Sequence, residues 1–279
     1  MLAAGPYAGE FGFEIMTWQA NIRRLAKGKD RVLIGCRPES RALYEDFATS
    51  FWDVPSNSFA AENTSGCRRL DGGEKGLRRG FRAAIPKGSC VVEPSICKPQ
   101  DGDFIRYGIN HAVTYGYDVV IHPRYMLKGT PPADCRRSTP TDWWEKLVVI
   151  LNDKDLTVAA IGLKSCSLAL TGVVDMRGMD LKFVMNTLAS SRCMVGPSSG
   201  PAHLSALCGI PQVVWTDGTH VGGYDGTSNI TKLEKTWNPF GTPARILDVS
   251  QKDNPKQYWI PDLDWVVANI METVNASHQ

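Results

Sequence analysis

From Tyr117 to Trp215 short apolar runs and helix-period segments take turns, and few folds accept that rhythm. "YDVVIHPRY" (Tyr117 to Tyr125) is an apolar strand stopped by a proline, and Thr141 to Leu151 carries the period of a helix. A strand over Leu156 to Gly162, a short one near Val173, a helix over Leu181 to Ser190 and a strand over Arg192 to Val195 follow. A helix over Pro201 to Cys208 and a strand over Gln212 to Trp215 continue the pattern. Strands that alternate with helices predict a parallel sheet covered on both faces, because each connection must cross the sheet before the next strand can run the same way.

The first half keeps the rule less cleanly. A very short initial strand precedes the glycine-punctuated loop "GPYAGEFGFE", and Phe13 to Ala26 sets Ile15, Trp18, Ile22 and Leu25 at helical spacing. "RVLIGC" (Arg31 to Cys36) reads as a strand, Ser40 to Ser50 as a helix, "SCVVE" (Ser89 to Glu93) as a strand and Phe104 to Tyr115 as a helix. About Asn57 to Gly80 is a long loop with some helix near its end. The break near 107–118 divides the chain into an N-terminal α/β domain, 1–116, and a C-terminal α/β domain, 117–261, followed by a closing amphipathic helix in 262–279 that can pack back on the first domain. At 279 residues each domain has enough chain for a core of its own.

Composition narrows the function classes. The longest apolar runs fall well short of the roughly 18 residues that span a bilayer, and no basic segment precedes an apolar stretch at the N-terminus, so the expected location is cytoplasmic. The eight cysteines contain no C-x-x-C pair, and Cys36, Cys90, Cys166, Cys193 and Cys208 lie in or beside apolar runs, as small core residues of a reduced protein do. The five histidines are scattered without ligand spacing to a cysteine, so a zinc site is not expected. The net charge of +2 conceals a local excess: Arg68 to Lys87 holds seven bases and two acids. That segment fits either a solvated basic face or contact with an anionic partner.

The segment "MVGPSSGPAHLSALCGIPQVVW" (Met194 to Trp215) crowds a loop of Gly, Pro and Ser between two strands. In parallel sheets ligands collect beyond the carboxyl ends of the strands. Gly196 and Gly200 remove side chains from the turn, Pro201 suits the first helical position, and the Ser199 hydroxyl can cap the helix. The first-turn amides then face the space above the strand with the positive end of the helix dipole, a natural seat for phosphate.

Together with "HPRY", the "STPTDWWEKLVVIL" helix and "LTVAAIG", this segment resembles the donor-binding half of the GT-B glycosyltransferases, particularly the ADP-heptose:lipopolysaccharide heptosyltransferase group. The resemblance covers roughly Asp118 to Trp215 and implies two Rossmann-like domains facing a cleft, with a nucleotide-sugar donor as co-substrate and no further cofactor. It implies that Arg124, just past its strand, stands near the donor phosphates, where a guanidinium neutralises a leaving diphosphate without a metal. His203, in the first helical turn, either touches the diphosphate or bonds the loop. The group commonly has an Asp, which helps to position the donor sugar, where this chain has Ser198. Asp217 and His220, after the last clear strand, are nucleotide contacts or turn residues.

The loop Gly5 to Glu14 is similar in position to the first loop of that group, where a Gly is followed by an acid that acts as general base; Gly9 and Glu10 match the pair. An inverting transfer needs one carboxylate to take the acceptor's proton while the diphosphate departs toward positive charge. Glu10 is the expected base and Glu14 the reserve; each also fits a bland role, as a solvated loop acid or a first-turn helix acid.

Three Asp-x-Asp triplets, at 101–103, 153–155 and 262–264, raise the alternative of metal-dependent transfer, with Asp101 to Asp103 the one plausible ion site. Two further readings use the same donor domain: a DNA-modifying glycosyltransferase acting on a hydroxymethylated base, which the Arg68 to Lys87 bases suit as they suit a phosphorylated glycan, and a sugar-nucleotide-binding protein without catalysis.

Overall fold

The structure, a computed structural model, describes residues 1–54, 75–94, 102–108, 116–125, 137–218, 228–250 and 258–276. The chain forms two compact units, Met1–Ile105 and Arg106–Gln279.

In the first unit, strands β1 (Leu2–Ala4), β2 (Val32–Cys36), β3 (Ser50–Asp53) and β4 (Cys90–Val92) form a parallel sheet in the order β3-β2-β1-β4. Helix α1 follows β1 in three segments: Phe11–Phe13, a π-helical stretch Glu14–Trp18, and Gln19–Ala26. Helix α2 is Lys75–Ala84. Gly5, with φ of 130°, lets the chain leave β1 against β2, since a Cβ there would come within 2.9 Å of the Gly35 Cα.

Two expected elements are corrected. Ser40 to Ser50 is not a helix: a 3-10 turn spans Pro38–Leu43, and the chain then straightens into β3. The Thr49 hydroxyl exchanges hydrogen bonds with the Val32 backbone, which draws the segment alongside β2. Phe104 to Gly108 is not helical either, because Gly108 has a φ of 77°, outside the right-handed helical region; 109–115 lie outside the described residues. Cys90 is exposed on the edge strand, unlike the buried Cys36, Cys193 and Cys208.

In the second unit β5 (Val119–Ile121), β6 (Val158–Ala160), β7 (Val174–Asp175), β8 (Cys193–Pro197), β9 (Gln212–Thr216) and β10 (Ala244–Asp248) form a parallel sheet ordered β10-β9-β8-β5-β6-β7. Counted from β5, this is the 3-2-1-4-5-6 order of the Rossmann fold, and the first unit has the 3-2-1-4 part of it. Helices α3 (Thr141–Asn152), α4 (Leu181–Ser190) and α5 (Gly200–Cys208) fall where the apolar periodicity puts them. A short α-helical turn, Asn229–Thr231, runs into a second π-helical stretch, Lys232–Thr236.

Trp143, Trp144 and Trp215 form the centre of this unit's core, with ring centroids 5.1–5.4 Å apart. The last helix, α6 (Leu263–Ala276), joins that core through Val266, Ile270 and Val274. These three residues lie on the apolar stripe of α6, which faces the core of the second unit. Among the described residues no helix is long and apolar enough to cross a membrane.

Candidate functional site

Beyond β5 the chain order of the second sheet reverses, with β6 and β7 on one side and β8 to β10 on the other. A crevice at the carboxyl ends of β5 and β8 follows from that reversal, since their connections leave in opposite directions. His122 is the first residue past β5 and Ser199 lies two past β8; the His122 amide donates to the Val195 carbonyl (2.9 Å), and the ring Nδ1 meets the Ser199 hydroxyl at 3.0 Å. Two glycines make room for His122. A Cβ on Gly196 would lie 3.3 Å from the His122 carbonyl, and one on Gly162, where φ is 124°, would lie 2.9 Å from His122 Cδ2 and clash with the Ser167 hydroxyl.

Ser199 is the N-cap residue of α5, yet its side chain makes no capping bond; this corrects the expected cap. The hydroxyl goes to His122, so the first-turn amides of α5, beginning at Gly200, keep their positive field without a serine oxygen over them.

Cations surround this turn. Arg124 is half-buried and forms an antiparallel bridge with Ser167. Arg137 Nη1 donates to the Ser198 carbonyl at 3.3 Å. Burial first, then the charges of Arg124 and Arg137, depress the His122 pKa to about 3. Burial, then Arg137 and Lys232, depress that of His203 to about 3 as well. Both rings are therefore neutral at pH 7. The His203 ring packs edge-on against Trp237 at 4.6 Å, its Nδ1 is buried without a hydrogen-bond partner, and Lys232 Nζ stands 5.8 Å from the Trp237 ring. An unsatisfied buried nitrogen is costly unless a ligand completes it.

Of the residues named from sequence, Ser198, Ser199, Gly200 and His203 lie in this turn and the first turn of α5, and Arg124 acts on it through His122, whose ring meets Ser199. Asp217 follows β9, farther from the reversal, half-buried, with its carbonyl accepting from Asn229. His220 lies outside the described residues. His122, Arg137 and Lys232 were not singled out. His122 ends an apolar run at a proline and Arg137 precedes the α3 cap, both visible signals; Lys232 has none, because it comes to His203 through a π-turn.

In the first unit Glu10 is exposed at the N-cap of α1, and Gly9 precedes it in the loop. Glu14 is fully buried: Arg37 Nη2 donates to its Oε2 at 2.8 Å, Ser40 to the same oxygen at 3.0 Å, and the Tyr44 hydroxyl to Oε1 at 2.9 Å. Burial and the Glu14 charge hold the Tyr44 pKa well above its ordinary value, so it remains a donor. With both oxygens engaged and no exposure, Glu14 has no way to reach an acceptor hydroxyl. Of the two acids, Glu10 alone is accessible.

Among the described residues no three His, Cys, Asp or Glu side chains converge as a metal site requires. Asp103 pairs with Lys27 at 3.0 Å, Asp101 lies outside the described residues, and Asp262 Oδ1 caps α6 through the Trp265 amide. In the basic segment, Arg78 and Arg82 both turn to Glu93, whose single carboxylate offsets one of the two charges; Arg68 and Arg69 lie outside the described residues.

No protein-family model matches this chain, and none of the curated proteins is detectably similar to it in sequence. Its fold is shared by solved glycosyltransferase structures. ADP-heptose lipopolysaccharide heptosyltransferase II from E. coli superposes with a TM-score of 0.60 at 12% identity, over 99% of this chain and 98% of that one. The E. coli heptosyltransferase WaaC, with ADP-2-deoxy-2-fluoro heptose, gives 0.54 at 10% identity over 100% of both. TibC from enterotoxigenic E. coli H10407, an iron-containing dodecameric glycosyltransferase, gives 0.53 at 13% over 99% of this chain and 79% of that one. The fold is that of the heptosyltransferases, two Rossmann-like units in one chain.

Proposed function

We propose that the chain is a glycosyltransferase that moves a sugar from a nucleotide-sugar donor to a hydroxyl acceptor, with inversion and without a metal ion. The observation that carries this reading is the α5 N-terminus at the reversal of the second sheet, where Arg124, Arg137 and Lys232 act on two neutral imidazoles and His203 Nδ1 lacks a protein partner. Three cations and uncovered helix amides suit a diphosphate, whose charge rises as it leaves. The E. coli ADP-heptose heptosyltransferase II and WaaC, the latter with ADP-2-deoxy-2-fluoro heptose, have this fold, which supports a nucleotide sugar as the occupant.

In the proposed reaction Glu10 takes the acceptor hydroxyl proton as that oxygen bonds to the anomeric carbon. The bond from the same carbon to the diphosphate breaks, and its electron pair stays on the phosphate oxygen. Arg124 and Arg137 stabilise that charge, a role that an ion fills in metal-dependent transferases. Glu14 is a structural anchor in this account, and Asp217 and His220 belong to the nucleotide side.

The test is a thermal-shift and nucleotide-release panel of ADP-, UDP- and GDP-sugars, with and without EDTA. One donor class should raise the melting temperature and be turned over in EDTA, and Glu10→Gln should lower turnover about 10²–10⁴-fold with donor Kd unchanged. Binding without turnover or hydrolysis would instead make this a sugar-nucleotide-binding protein, and loss in EDTA reversed by manganese would overturn the metal-free mechanism.

A further inference from the structure

A base on a glycine-flanked loop acts only if its side chain leaves the backbone in one direction. The direction of the Cα–Cβ bond of Glu10 is set by the two peptide planes that meet at its Cα, and both are tied down from inside the first unit. The Gly9 carbonyl, in the plane before it, accepts from Arg37 Nη1 at 3.0 Å. The Glu10 carbonyl, in the plane after it, accepts from the Tyr7 hydroxyl at 3.0 Å and from the Glu14 amide at 3.0 Å. Glu10 sits between them at φ −65° and ψ 137°, with its side chain in solvent.

Arg37 is itself fixed. Its second terminal nitrogen is on Glu14, neither side chain has any exposure, and Ser40 and Tyr44 complete the carboxylate. A buried ion pair adds little stability over an apolar pair of the same volume, so stability alone is a poor reason for this one. A planar fork with two terminal nitrogens has a use that neither an apolar pair nor a lysine reproduces: one nitrogen reaches the Glu14 carboxylate while the other holds the loop carbonyl.

We propose that Arg37 and Tyr7 are positioning residues for Glu10: they fix the two peptide planes that flank it, and Glu14 holds Arg37 in place to do so. This rests on the reading of Glu10 as the general base. Neither residue touches substrate in this account; each acts through the direction it gives to Glu10.

Two conservative variants test it. Arg37→Lys keeps a cation beside Glu14 but has one nitrogen, so it releases the Gly9 carbonyl. Tyr7→Phe removes one hydroxyl and leaves the buried ion pair intact, so it carries the test if Arg37→Lys does not fold. Turnover, donor Kd and melting temperature are measured for both beside the parent and Glu10→Gln, well below every melting temperature. Each should lower kcat about ten- to a hundredfold with donor Kd unchanged, because a base misplaced by about 1 Å loses rate without loss of binding. A fall in melting temperature with parental kcat in Tyr7→Phe and in folded Arg37→Lys, while Glu10→Gln is inactive, would overturn the positioning role alone. Parental turnover in Glu10→Gln would overturn the base assignment, and this proposal with it.

Discussion

A serine at a helix N-cap ordinarily covers a backbone amide, and Ser199 instead places its hydroxyl against His122, so its side chain caps no amide of α5. The neutral state of that ring has a measurable consequence. His122 and His203 bind protons near pH 6.5 when the chain is unfolded and near pH 3 when it is folded, so between those values the unfolded state holds more protons. Stability should be fully present above about pH 6.5 and fall as pH drops toward 3, by about 1.4 kcal/mol per pH unit for each imidazole. Urea titrations from pH 7 to 4 check this, and His203→Gln should flatten the slope. Sequence made Arg124 and His203 visible through their places beside a strand end and in a first helical turn. It gave Glu14 a catalytic option that burial removes, because nothing in "GEFGFE" tells which acid faces Arg37.

At the scale of elements, helices α3, α4 and α5 of the second unit were legible to within a residue, since each carries a clear apolar period of 3.6. The 3-10 turn after β2, strand β3 and the two π-helical stretches were not. A π-turn leaves no period in a sequence, yet here one begins at Glu14, which Arg37 pairs, and the other at Lys232, whose charge acts on His203. Gly162 is the residue on which the loop after β6 depends. With φ at 124°, an alanine there is strained and its Cβ meets His122 and Ser167. Gly162→Ala should cost about 1–3 kcal/mol of stability and weaken donor binding as the imidazole is displaced, as chemical denaturation and ligand titration would show. Unchanged donor affinity would mean that the His122 ring has no part in the site.

For the whole molecule, alternation of strands and helices announced two parallel sheets, but not the neighbour of each strand. That β5 lies beside β8, rather than between β6 and another early strand, is a long-range pairing, and it creates the reversal where the candidate site lies. The partners of the closing helix were not legible for the same reason: its apolar stripe says that it is buried, not that it meets the core around Trp215. Because Ile270 lies in the core around Trp143, Trp144 and Trp215, Ile270→Ala should destabilise the second unit by about 2–5 kcal/mol, visible as a lower melting temperature for the donor-protected transition. The central claim is that the cationic turn at this reversal binds a nucleoside diphosphate. Calorimetric titration of ADP, UDP and GDP into the parent and into Arg124→Ala and Arg137→Ala tests it most directly. At least one of the three should bind the parent, with each arginine variant weaker by about 1.5–3 kcal/mol, the worth of a hydrogen bond to a charged group. Failure of all three to bind the parent, or equal affinity in folded arginine variants, would contradict it.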